Sequence, residues 1–152
     1  REQLLGLILE SPVIDWSGIL EHQAQRSRLP GVVARIGSYI MSKWPTLAGL
    51  SSPINVRSLT AERFAAFLRL PTLLHVSSAD TFVPGSPAIR FATLRPDLVT
   101  INHVDIGEHV KIWNVHPDTR EATTEAFVQK LLAGAEKNQA SRPSSSPSEV
   151  GG

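Results

Sequence analysis

Pro71-Thr72-Leu73-Leu74-His75-Val76-Ser77-Ser78-Ala79-Asp80-Thr81-Phe82-Val83-Pro84 is the stretch on which the reading of this chain turns, and the segment that follows it to Trp113 completes the pattern. Pro71 to Ser78 is a short, mostly apolar run of strand-forming residues. Ala79 to Pro84 is an acidic loop ending at a proline. Ser86-Pro87 opens a helix, with serine as N-cap and proline at its first position, and Pro96 closes it after Ala88 to Arg95. Leu98 to Val104 reads as another strand, and a loop holding Gly107-Glu108-His109 comes next. Asp80 and His109 both fall just past the C-terminal ends of predicted strands, where open α/β sheets place ligands and chemistry.

The strand, then Asp80-x-x-Val83-Pro84, a helix, a strand, and Gly107-x-His109 followed by Trp113-Asn114, resembles the C-terminal half of the α/β-hydrolase fold. The likeness is to its serine esterase and serine-peptidase-like branches, whose triad runs Ser, then Asp or Glu, then His along the chain. It implies an α/β fold class, a partial α/β-hydrolase fold: three parallel strands with flanking helices and a helical lid insertion. It also implies that residues 1–135 form the domain portion, with 17–55 as the lid, and that no cofactor is needed. The implied substrate is a small-molecule ester or amide, cleaved through an acyl-enzyme once an upstream half completes the site.

Such chemistry needs a base that removes the nucleophile's proton and returns it to the leaving group, which a histidine titrating near neutrality can do. His109 takes that role. Asp80 would hold the imidazole in one tautomer while staying ionised. Outside the family pattern, His109 reads as a surface loop histidine and Asp80 as a turn cap before Pro84. The nucleophile is missing: no serine stands in a Gly-x-Ser-x-Gly elbow, since Ser38 directly follows Gly37 and Ser86 lies between Gly85 and Pro87. The elbow also supplies one of the oxyanion amides, so this chain alone should be nearly inert.

Upstream, Leu4 to Leu9 is apolar without alternation, as in a parallel strand covered on both faces, and Pro12 stops it. Asp15 or Ser17 caps a polar helix from Ile19 to Arg28, and Trp16 reads as packing or pocket wall. After Pro30, Val33, Ile36, Ile40 and Trp44 recur at helical spacing, a stripe expected to pack on the sheet or within the lid. Pro45 to Asn55 is a loop, and Thr60 caps a short helix to Leu68. Pro117 to Gly134 is the clearest helix, and 136–152 is a Ser-, Pro- and Gly-rich tail expected to stay disordered.

With 15 basic against 14 acidic side chains, the chain has no electrostatic case for nucleic acid. The absence of cysteine removes disulfides, thiolate metal sites and a cysteine nucleophile. No apolar run approaches the roughly 20 residues of a membrane-spanning helix. The chain opens on Arg1 and its one methionine is Met41, and complete hydrolases of this fold run to about 250 residues, so a C-terminal fragment is expected. Two rival readings remain. His103, Asp105, Glu108, His109 and His116 could bind a metal such as zinc in a metal-dependent hydrolase, although their spacing matches no helical metal-hydrolase motif. Alternatively, the chain is a non-catalytic remnant or split-protein subunit that associates, with itself or a partner, through the unpaired edge of its first strand.

Overall fold

A computed structural model describes residues 4–140 of the chain, with side chains as far as Lys137. Its centre is a parallel sheet in the order β1-β2-β3, formed by Leu7–Glu10, Thr72–Ser77 and Val99–Val104. Leu7 stands opposite Thr72, and Thr72 opposite Val99, so successive residues of all three strands lie in rows. β2 is buried along its whole length, being flanked by a strand on each edge and by helices on each face.

Alternation along the strands gives the sheet two different faces. On one, Leu9, Leu74, Val76, Val99 and Ile101 form an apolar core with Ile14 and with two helices, α3 (Ala61–Phe67) and α4 (Ser86–Leu94); Ala61, Ala65, Ala88 and Phe91 are their buried contributions. Small alanines line the core side of both helices, where α3 packs on α4 and α4 on β3, while Phe91 adds bulk to the same core. The other face lies under the C-terminal helix. There Gly6 approaches so closely that a Cβ on it would meet Leu131 Cδ1 at 2.6 Å, and Phe127 is buried.

β1 starts at Leu7 rather than Leu4, because the first ladder bond runs from Leu7 N to Pro71 O, and it continues through Glu10, which pairs with His75. Two further α-helices precede α3 in the segment between β1 and β2. The first, α1 (Trp16–Arg26), is capped by Asp15, whose Oδ1 accepts from Gly18 N at 3.0 Å. Trp16 opens it and stays partly exposed instead of entering the core. The second, α2 (Gly31–Lys43), departs from expectation: Ser38 is its buried residue, while Val33, Ile36 (53% exposed) and Trp44 (56%) point to solvent. The helical period is present and Ile40 is half-buried, but α1 packs against the side bearing Ala34 and Ser38, so the rest of the apolar stripe faces outward.

Ser86 begins α4 without capping it, since Gly85 holds the N-cap position and no side-chain bond is made there. The Trp113-Asn114 turn belongs to a one-turn helix, α5 (Ile112–Val115), anchored by the fully buried Ile112. The last helix, α6 (Pro117–Ala140), runs past the expected end at Gly134, so residues 136–140 of the expected tail are helical. Residues 141–152 of that tail lie outside the described residues. No described helix is long and apolar enough to cross a membrane.

Candidate functional site

The C-terminal ends of all three strands converge on one carboxylate. β2 ends at Ser77, whose Oγ accepts the Ala79 amide at 3.1 Å and turns the chain, leaving Asp80 with a side chain only 2% exposed. Its two oxygens do different work. Oδ1 accepts the amides of Phe82 (2.9 Å) and Val83 (2.8 Å), while Oδ2 bonds to His109 Nδ1 at 2.9 Å. Turn cap and imidazole partner, alternatives from the sequence, are thus occupied together. Burial pushes the Asp80 carboxyl upward, but hydrogen bonds from the Val83 amide, His109, the Ser11 hydroxyl and the Phe82 amide outweigh it and hold the group below its ordinary value of 3.8.

The loop after β3 brings His109 to this carboxylate through unusual backbone. Gly107 has φ +107°, and a Cβ there would meet Val115 Cγ2 at 2.9 Å, so the position demands glycine. Val110, a β-branched residue, sits at φ 54°. Such conformations persist only where surrounding packing holds them, and they concentrate at functional sites. Ile112 supplies that anchor below the loop. The His109 side chain remains 34% exposed, and the Phe82 ring lies against it, centroids 5.0 Å apart.

From β1 comes Ser11, unmarked by the sequence reasoning except as the residue between strand and Pro12. It is buried, has φ 47°, bonds to Asp80 and accepts the Val110 amide at 3.5 Å. Its hydroxyl faces the acid rather than the imidazole, so it braces the site and is not placed as a nucleophile. Phe82 was likewise missed, because only the folded loop shows that its ring reaches the imidazole.

Other candidates separate. His103 Nε2 meets Ser78 Oγ at 2.8 Å away from Asp80, and Glu108 pairs with Lys111 at the surface. Among the described residues no group of three or more His, Asp or Glu could hold a metal ion, so the metal-hydrolase reading lacks a donor set. An apolar groove of about 380 Å³ runs beside β1, lined by Leu7, Leu9, Phe64, Phe67, Leu68 and Phe91 among others. It opens on the α3 and α4 face, and neither Asp80 nor His109 lines it.

No family model and no curated protein matches the chain. Among solved structures it resembles the esterase Pf2001 of Pyrococcus furiosus in two crystal forms. In one the TM-score is 0.55 with 18% identity, and in the other 0.54 with 17%; each alignment covers 82% of this chain and 44% of the esterase. The likeness is one of fold: an α/β architecture with a parallel sheet flanked by helices, as in an esterase. The chain spans less than half the length of that protein.

Proposed function

We propose that the chain supplies the acid and the base of a Ser-Asp-His hydrolase acting on an ester or amide, with the nucleophilic serine and oxyanion donors coming from outside its 152 residues. The observation that carries this reading is the 2.9 Å bond between the buried Asp80 carboxylate and His109 Nδ1. An ionised Asp80 accepts, so Nδ1 carries the proton and the neutral imidazole keeps its lone pair on Nε2. That atom has no partner among the described residues. It would take the proton of an incoming hydroxyl and pass it to the leaving group, while Asp80 stabilises the imidazolium formed in between. The name of the similar esterase favours an ester. In this reading the α1 and α2 segment is a lid that shapes the pocket, and the chain by itself is nearly inert.

Labelling with a fluorophosphonate probe tests the proposal. The chain joined to its upstream half should be marked on serine, and this chain alone should not. Marking of the chain alone, or a joined protein that resists the probe, would overturn it.

One further observation favours a non-catalytic alternative. β1 is an outer strand of the sheet, and Leu4, Leu5 and Ile8, just before it and within it, are exposed. An apolar edge of this kind recruits another strand. Concentration-dependent association, coupled with a joined protein that never labels, would favour this reading over the hydrolase.

A further inference from the structure

Three side chains of α1 donate into the loop that carries Asp80. His22 Nε2 bonds to Thr81 O at 2.9 Å, Arg26 Nη1 bonds to the same oxygen, and Gln23 Nε2 donates to Phe82 O at 2.6 Å. These two carbonyls are not arbitrary. Thr81 O belongs to the same planar peptide group as Phe82 N, and Phe82 O to the same group as Val83 N. Those are the two amides that donate to Asp80 Oδ1. Each chain of contacts is therefore continuous: side chain to carbonyl, through one peptide plane, amide to carboxylate, and carboxylate to His109.

A donor placed on a carbonyl polarises its peptide group and makes the N–H at the other end a stronger donor, so bonds in such a chain reinforce one another. We infer that His22, Gln23 and Arg26 are positioning residues: from α1 they polarise the two peptide groups that hold Asp80 and aim its second oxygen at His109. This deepens the proposed function, since it makes the acid's strength depend on where α1 sits. If α1 lifts away, Asp80 loses part of its stabilisation without any change in its own loop sequence. Of the charged and titratable groups around this loop, His22 and Arg26 from α1 reach only Thr81 O, whereas His109 from the loop after β3 bonds to the carboxylate itself, with the Ser11 hydroxyl arriving from the end of β1.

The pairing of donor with peptide group makes the test specific. In the full chain, amide proton shifts of Phe82 and Val83 and the carboxyl carbon titration of Asp80 are followed by NMR. Gln23→Ala should move the Val83 amide upfield and leave Phe82 nearly unchanged; Arg26→Ala should do the reverse. Each should raise the Asp80 titration midpoint by roughly half a pH unit. Arg26→Lys, which keeps charge and donor, should restore most of the effect. Arg28→Asn removes a nearby charge that makes no bond to the loop, and it should shift neither amide. If both amides move together in every variant, α1 merely buttresses the loop and the relay is wrong; unmoved amides or an unchanged Asp80 midpoint reject it as well. These measurements need no catalysis, so the relay and the hydrolase reading can fail separately.

Discussion

His75 and Asn102 are register partners on adjacent parallel strands, and Asn102 Nδ2 donates to His75 Nδ1 at 2.9 Å. The bond leaves the proton on Nε2, which faces Thr124 Oγ1 of α6 at 3.2 Å, so both ring nitrogens of a fully buried imidazole are satisfied in the neutral form. Burial, with Arg120 adding to it and Glu10 opposing, pushes the His75 pKa below its ordinary 6.5. An unfolded chain would accept a proton that the native one refuses. This part of the stability is therefore complete above about pH 6.5 and lost as the pH falls from there toward the native pKa. Urea midpoints measured between pH 7.5 and 5 should decline, and His75→Gln should flatten that decline.

Asp80 governs a second and more acidic window. Its native pKa lies below 3.8, so its contribution is whole above that value and disappears as the pH drops through the native pKa. Asp80→Asn should remove this acid step. In the joined protein the same change should cut turnover roughly 10⁴-fold, because an amide cannot stabilise the imidazolium or hold the productive tautomer. Near-normal turnover would take Asp80 out of the chemistry.

Glu10 and Arg120 should behave as a structural pair. Arg120 Nε lies 3.2 Å from Glu10 Oε2, both side chains are largely covered, and the guanidinium sits over the Trp113 ring at 4.7 Å from its centroid. Glu10 Oε1 is already buried without a partner. Arg120→Ala should leave the whole carboxylate uncompensated and cost roughly 2–4 kcal/mol in a denaturant titration. A loss below about 0.5 kcal/mol would place the pair with ordinary surface bridges.

Gly107→Ala should harm the loop more than the fold. The added methyl meets Val115 and the backbone angle is hostile to any side chain, a combined cost of roughly 1–3 kcal/mol. The expected result is a weaker or absent low-field proton signal for the His109 to Asp80 bond, with helix content by circular dichroism nearly unchanged.

Much of this arrangement was legible beforehand, and for local reasons. Runs such as Leu73 to Val76, the Asp15 and Thr60 caps, and the loops of Asp80 and His109 are written in neighbouring residues, and chain order then brings the two strand ends together. What stayed hidden depends on distant partners. Periodicity groups Val33, Ile36, Ile40 and Trp44 on one side of α2 but is silent about which side α1 will cover. Ser11 becomes part of the site only because β1 lies beside β2, and the row Glu10, His75, Asn102 exists only through parallel register. No single segment encodes either fact.

The unequal spacing of the strands along the chain carries a kinetic consequence. β2 and β3 are joined by one short crossover, whereas β1 reaches β2 only after the chain has passed through α1, α2 and α3. Closing the longer loop costs more entropy and so comes later. The arm bearing Glu10 and Ser11 should dock last, which makes completion of the convergent strand ends the closing event of folding rather than its nucleus.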